Sequence, residues 1–243
     1  MNDKYKYLIP VSILAGAIVL SVIIFSMVWK STKNADQTIT VTGSAKKSIV
    51  SDLGIQRATL QASGSDRKIA YQIVQQQMPT VLKYLEDKGF TKDQIEIFSI
   101  NGYPIFEIAP NGTQTQKVLG YVYNQRFEIK SNDVKKIKEL SLSLSTLVEK
   151  GLDINVDAPE YLYTKIDDLK IEVQAAASKN AMERAAKIAE ATGRSLGPLR
   201  NARMGVIQIT PVNSNLVSDY GMNDATSIEK EITAVVSASF KID

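Results

Sequence analysis

The sequence contains neither cysteine nor histidine. Without cysteine, the chain has no disulfides, no thiolate metal ligands and no thiol nucleophile. Without histidine, it lacks an imidazole base, a histidine-dependent catalytic triad and imidazole ligands for zinc. These two absences exclude a large share of the known acid–base and metal-assisted enzyme chemistries.

Phosphate-binding glycine motifs are absent as well. Neither G-x-x-x-x-G-K-[ST] nor G-x-G-x-x-G occurs. A Ser–Lys dyad stays open because both residue types are common, but no diagnostic spacing accompanies them. We therefore predict no catalytic residues, no cofactor-binding residues and no metal ligands, and we interpret the chain as non-enzymatic.

Three pairs of carboxylates are the remaining candidates for acid–base or cation chemistry: Asp167 with Asp168, Glu107 with Glu128, and Asp219 with Asp224. The first pair falls where a helix is predicted to begin, so helix capping and the helix dipole account for it. The second pair is predicted to face solvent from two strands of a hairpin. The third pair lacks the alternating oxygen spacing of an EF-hand loop.

A dense basic face is also missing. The whole chain has 29 basic and 26 acidic residues. Four of these basic residues and one acidic residue flank the apolar run described next: Lys4, Lys6, Lys30, Lys33 and Asp3. The rest of the chain has 25 basic and 25 acidic residues and is therefore neutral. Nucleic-acid binding usually needs a basic stripe, and none is interleaved with aromatic residues here. We predict no nucleic-acid partner.

One long apolar run is present near the start of the chain. The 23 residues from Tyr7 to Trp29 carry no charge, and a helix of that length reaches roughly 34 Å, enough to cross a bilayer core of about 30 Å. A cleaved signal peptide is the rival interpretation, but its apolar run is usually about 7–15 residues and ends at small residues. We favour an uncleaved, single-pass membrane anchor.

The chain is accordingly divided into four segments: a tail of residues 1–6, an anchor of residues 7–29, a linker of residues 30–37 and a soluble domain of residues 38–243. Lysines occur on both sides of the anchor, so the positive-inside rule leaves its orientation open. Large domains after a short N-terminal anchor are commonly exported, which keeps an extracytoplasmic location open.

Hydrophobic periodicity in the soluble domain alternates between strand and helix patterns in the order β-β-α-β-β-α-β-α-β-β. This order predicts an α+β fold with helices packed on antiparallel sheets. The predicted helices are 66–88, 133–150 and 167–192, and the predicted strands are 38–43, 53–62, 95–108, 116–130, 153–164, 199–210 and 229–242.

Two local patterns are especially informative. Alanine recurs every four residues in the last predicted helix, at positions 177, 181, 185 and 189, and such a stripe of small side chains lets a helix approach its neighbour closely. Pro110–Thr113 separates two strand-like segments and predicts a hairpin turn.

A long polar segment, Val212–Ile228, is predicted to be a loop. Loops of this length are often functional. We interpret it as a possible partner-contact loop, with four candidate contact residues: Asp219, Tyr220, Met222 and Asp224.

Several ordered segments together resemble the SIMPL domain family, which includes bacterial periplasmic immunogenic and oxidative-stress-defence proteins. The resemblance covers nearly all of residues 38–243 and rests on Ile39–Gly43, Leu85–Phe90, Lys92–Ile95, Gly120-Tyr121 and Ala181–Gly197.

The resemblance implies an extracytoplasmic α+β domain without established catalytic residues, some of whose relatives form ring- or channel-like homo-oligomers. It also implies a location at the cytoplasmic membrane of a bacterium, with the C-terminal domain outside the cytoplasm, and a link to envelope or oxidative stress. We therefore expect a membrane-anchored homo-oligomer. The alternative is a ligand-binding or sensing module of the cell envelope.

Overall fold

An N-terminal helix, α1 (Tyr5–Ala35), contains the apolar run. The structure, a computed structural model, describes the backbone of residues 5–35 and 37–242 and the side chains of residues 11–29 and 37–242. The segment Val11–Trp29 has a mean hydropathy of 2.7 and is long and apolar enough to cross a membrane. Helical backbone continues through residues 30–35 of the predicted linker, whereas residues 1–4 of the predicted tail lie outside the described residues.

The remaining elements alternate between strands and helices, as the sequence predicts. The helices are α2 (Arg67–Asp87), α3 (Val134–Ser143) and α4 (Ile166–Ala191). The strands are β1 (Thr38–Val50), β2 (Leu53–Gly64), β3 (Ile95–Ile108), β4 (Gln114–Ser131), β5 (Asp153–Val156), β6 (Glu160–Leu162), β7 (Leu196–Met204), β8 (Gln208–Pro211), β9 (Met222–Asn223) and β10 (Glu229–Ile242). The predicted α+β class with helices and antiparallel sheets is confirmed.

The chain divides into two compact units. The first comprises the described residues of Met1–Lys46, Leu169–Ile207 and Thr233–Asp243, and the second comprises Lys47–Asp168 and Gln208–Ile232. Strands β1 and β10 contribute residues to both units.

The second unit contains a sheet of order β3-β4-β2-β5, with β6 also pairing β2. Alternate residues of β2, among them Ala58 and Leu60, are fully buried. They pack in one apolar cluster with the buried faces of α2 and α3, which include Val74 and Ile137. Burial of this shared face is the main force holding the unit together. In the same unit, β8 pairs with β9 in parallel.

Turn chemistry sets the boundaries in the second unit. Asp66 caps α2 by accepting hydrogen bonds from the backbone N–H groups of Lys68 and Ile69, at 2.8 and 3.0 Å. The predicted hairpin turn between β3 and β4 is confirmed, with Gly112 at φ +81°. Positive φ costs glycine little, which explains its place at this tip.

Two predicted elements in the second unit are interrupted. The helix predicted for 133–150 ends at Ser143 and continues as a 3₁₀ helix, Leu144–Lys150. Leu144 and Leu147 are both buried there, and side chains three residues apart share a face in a 3₁₀ helix. The strand predicted for 153–164 splits into β5 and β6, with Pro159 in the gap, because proline cannot donate to a strand ladder.

The first unit places β10 between β1 and β7. Helix α4 packs on this layer with the predicted alanine stripe, and Ala177, Ala181 and Ala185 are fully buried. The close approach occurs at Gly43 of β1, which lies directly against the α4 backbone. The strand predicted for 199–210 begins earlier and breaks after Met204, giving β7 and β8.

Candidate functional site

The segment between β8 and β10 contains all four residues predicted to contact a partner. The prediction that Val212–Ile228 is one loop is wrong at Met222, which lies in the short strand β9 because this strand pairs with β8. The structure separates the four residues into two groups. Asp219 and Tyr220 belong to what we call the loop tip, residues 216–220, whereas Met222 and Asp224 belong to the loop base, residues 222–228. Tyr220 is 98% exposed at the tip, while Asp224 is half-buried at the base. The four residues therefore differ in their exposure to solvent.

The loop tip has a defined conformation. The side-chain amide of Gln208 donates to the carbonyl of Ser218 at 2.6 Å and accepts from its backbone N–H at 3.3 Å. Gly221, with φ +86°, donates to the same carbonyl at 3.1 Å. These bonds present Val217 and Tyr220, which are 80% and 98% exposed, to solvent. The tip is a candidate contact point, as predicted for Tyr220.

The loop base is held by backbone bonds and by one buried lysine. The Asp224 backbone N–H donates to the carbonyl of Ile209 at 3.0 Å, and Tyr161 donates to the carbonyl of Ala225 at 2.7 Å. Lys230 of β10 is only 2% exposed, and its Nζ donates to the carbonyls of Tyr161 and Asp224. The lysine thereby joins the loop base to β6.

The pKa values of Lys230 and Asp224 are both lowered, but for different reasons. Burial lowers the pKa of Lys230, although the charge of Asp224 opposes that shift. Burial would raise the pKa of Asp224, but hydrogen bonds from Thr226 and the charge of Lys230 outweigh it and lower that pKa. Thr226 donates to Asp224 Oδ1 from its backbone N–H and its hydroxyl, at 2.8 and 2.7 Å.

Lys230 was not predicted as a functional residue, although the sequence contains a signal for it. β10 alternates, and Lys230 shares its phase with Ile232, Ala234 and Val236, all of which are buried. Successive side chains in a strand point to opposite faces. A lysine in the phase of a buried face indicates a buried ammonium group that needs acceptors.

A second candidate contact feature is the edge of β7 that faces away from β10 in the first unit. Within the described residues, β7 pairs with β10 alone. Residues 198–204 are exposed, including Leu199 at 54% and Met204 at 52%. An exposed strand with apolar residues and unpaired backbone groups is a template for pairing with another strand.

Two of the three carboxylate pairs have structural surroundings that account for them. Asp167 and Asp168 lie in the first turn of α4, as predicted. Glu107 forms an ion pair with Lys117 at 2.8 Å. The prediction that Glu128 faces solvent is wrong, because it is only 7% exposed.

Glu128 belongs to an ion network that runs across strands of the second unit. Its Oε2 lies 2.5 Å from Nε of Arg57, and its Oε1 lies 2.7 Å from Nζ of Lys130. Arg57 also contacts Glu160 at 2.5 Å. The prediction failed because β4 register places Glu128 directly opposite Arg57 of β2, and register is a tertiary property.

No metal-binding cluster of three acidic residues occurs in the part of the chain that the structure describes. Asp219 and Asp224 are predicted to share no metal, and they lie in different parts of the loop. The candidate functional features are therefore the exposed loop tip, the buried Lys230 and the unpaired edge of β7.

Comparison with known proteins identifies a family but no activity. The model of the SIMPL family, described as a protein of unknown function, matches residues 39–240. No curated protein matches the chain. One similar solved structure is a putative aminohydrolase from methicillin-resistant Staphylococcus aureus, at 10% identity and a TM-score of 0.19. The match covers 77% of this chain and 39% of that one.

Proposed function

The chain belongs to the SIMPL family, and we propose that it is a single-pass membrane protein whose family domain self-assembles outside the cytoplasm. In this proposal α1 remains uncleaved as the anchor, and the protein acts through contacts instead of catalysis. The absence of histidine and cysteine supports a non-enzymatic role, since it removes the side chain most often used as a general base and one of the common nucleophiles.

The observation that carries self-assembly is the open edge of β7. Pro198 has no N–H to donate, so the part of this edge best able to pair is residues 199–204. Leu199 and Met204, both about half exposed, would lose contact with water if a second strand lay beside them. A second copy of this chain is the proposed occupant of the edge.

The other edge strand of the first unit is covered by its own helix. Arg184 of α4 donates to the carbonyl of Thr42 at 2.9 Å, and the backbone N–H of Ser44 donates to Asn180 Oδ1 at 3.2 Å. The backbone groups of residues two apart in a strand point to the same edge, so these bonds occupy two backbone groups on one edge of β1. This difference between β1 and β7 directs pairing to β7.

Membrane anchoring would favour the same assembly. If α1 stays in the bilayer, all copies are confined to one surface, and this confinement raises their effective concentration. The neutral charge of the remaining chain adds little long-range repulsion between copies.

Light scattering of the full chain in detergent tests the proposal. We expect an oligomer for the natural sequence and a smaller species when Leu199→Lys and Met204→Lys are combined, because lysine blocks edge pairing. The matched control is Leu142→Lys, which replaces a leucine that is 73% exposed on α3. A monomeric natural protein, or equal masses for the β7 variant and the control, would contradict assembly through β7.

Orientation and anchoring can be tested with cysteine labelling, because the chain has no cysteine of its own. Ser145→Cys, at an exposed position, should react with an impermeant maleimide in intact bacterial cells. Asn2→Cys, on the other side of α1 in sequence, should react only after lysis. The protein recovered from the membrane fraction should have the intact mass of a chain that includes α1. A mass that corresponds to a chain cleaved after Trp29 would contradict an uncleaved anchor.

A role in envelope or oxidative stress at the cytoplasmic membrane is the physiological part of the proposal. Survival of a deletion strain after peroxide treatment tests it, with complementation by the natural gene and by the β7 variant. We expect the natural gene to restore survival and the β7 variant to restore it poorly.

A further inference from the structure

Lys230 lines a cavity in the second unit whose other walls are mostly apolar. The cavity has a volume of about 190 Å³. Leu53, Leu162, Ile166 and Ile209 contribute aliphatic surface, and Tyr163, Thr164 and Asn223 complete the lining. A cavity of about 150 Å³ can hold benzene in another protein, so this one accommodates a ligand of roughly six to eight heavy atoms.

The ammonium group of Lys230 has capacity left for a ligand. It has three N–H donors, and two of them reach the carbonyls of Tyr161 and Asp224. Both acceptors are neutral, and Lys230 forms no ion pair among residues 37–242. A buried cation without a paired anion is costly. An anionic ligand would supply a countercharge bonded directly to the ammonium and accept the third hydrogen bond.

The neighbouring acid does not fill this role. Asp224 directs Oδ1 to Thr226, and its Oδ2 is buried without a hydrogen-bond partner among the described residues. Its backbone carbonyl, and not its carboxylate, accepts from Lys230. The carboxylate of Asp224 therefore acts on Lys230 only through its charge.

We propose that this cavity binds a small aliphatic carboxylate, with the anionic head at Lys230 and the short tail among Leu53, Leu162 and Ile209. The cavity chemistry selects both parts of the ligand. Aliphatic walls favour an apolar tail, and the unpaired ammonium favours one negative charge. This binding site does not depend on self-assembly.

Thermal unfolding of the full chain in detergent tests the site, with sodium butanoate as the probe. At concentrations several-fold above its Kd, butanoate should raise the Tm by about 2–4 °C. Butan-1-ol and butylammonium chloride, at matched concentration and ionic strength, should not raise it. Failure of butanoate to raise the Tm would overturn the proposal, and so would an equal rise with butan-1-ol.

Two variants locate the binding. Lys230→Met removes the ammonium and should abolish the butanoate response. Leu162→Phe keeps Lys230 but fills the cavity, so it should also abolish the response even if Lys230→Met does not fold. Leu142→Phe, at an exposed position on α3, should respond like the natural protein. A full response in Leu162→Phe would place binding elsewhere and refute the site.

Discussion

A Cβ atom added to Gly43 of β1 would lie only 2.3 Å from the backbone nitrogen of Ala181 in α4, and equally close to the carbonyl oxygen of Ala177. Real Cβ atoms essentially never approach other heavy atoms within 3.0 Å. The glycine on the strand therefore lets the strand lie directly against the backbone of the helix. Neither element can gain a side chain at this contact without moving the other.

Gly43→Ala should consequently destabilise the first unit more than most surface or strand substitutions. The clash is with backbone atoms, which cannot rotate away, so we expect a loss of about 3 kcal/mol, at the upper end of the range for overpacking. Urea unfolding followed by circular dichroism measures this loss. Ser44→Ala, at the exposed neighbouring position, is the control and should change stability little. Equal urea midpoints for Gly43→Ala and Ser44→Ala would show that the strand and the helix can move apart at little energetic cost.

The ion network around Glu128 gives a prediction with a defined pH dependence. Burial opposes ionisation of Glu128, but hydrogen bonds and charge from Lys130 and Arg57 outweigh it, so its pKa lies below the ordinary 4.5. A carboxyl group whose pKa is lowered by folding stabilises the folded state above its unfolded pKa. That contribution disappears as the pH falls through the lower, folded pKa.

Glu128→Gln should therefore reduce the free energy of unfolding at pH 7 by about 1.5–3 kcal/mol, the range for hydrogen bonds to charged groups. The difference from the natural protein should narrow as the pH falls below about 4.5. Glu96→Gln alters a pair with both side chains about half exposed, and it should leave the midpoint nearly unchanged. A difference that is constant from pH 7 to pH 3 would contradict the assignment.

The amide of Gln208 is predicted to control the mobility of the loop tip. Gln208→Ala removes both hydrogen bonds to Ser218 and should speed amide hydrogen exchange across residues 216–221. Each neutral hydrogen bond contributes about 0.5–1.5 kcal/mol, so loss of both should increase local opening by roughly fivefold or more. Exchange in the core strand β2 should stay unchanged. Similar exchange protection of the loop tip in the natural protein and in Gln208→Ala would mean that the two hydrogen bonds of Gln208 do not restrain the loop tip.

The side chains that cover the edge of β1 should limit unwanted pairing there. Asn180→Ala combined with Arg184→Ala removes the partners of Ser44 N–H and the Thr42 carbonyl. Because unpaired strand edges promote association, we expect a larger, less uniform species in light scattering. The matched variant is Glu183→Ala with Lys187→Ala, exposed on the same helix, and it should keep the size distribution of the natural protein. Identical size distributions for the two double variants would contradict a role of Asn180 and Arg184 in preventing association through β1.

Much of the local structure could be predicted because it depends on local patterns. The apolar run has no charge to interrupt it, the hairpin turn contains Gly112 where φ is positive, and α4 has its alanines on one face. In each case the physical cause, whether transfer to an apolar phase, backbone freedom or helical periodicity, acts within a few residues. The predicted resemblance to the SIMPL family is confirmed, because the model of that family matches residues 39–240.

The amino-acid sequence is therefore sufficient to predict the long apolar helix and the order of strands and helices, and it excludes histidine and cysteine chemistry. Tertiary structure alone decided that Glu128 is buried opposite Arg57, that Tyr220 and Asp224 lie in different environments, and that Lys230 lines a cavity. It also decided that one strand edge is open and another covered. These features depend on register and packing between distant segments, and the periodicity within a single segment contains no information about which segment lies beside it.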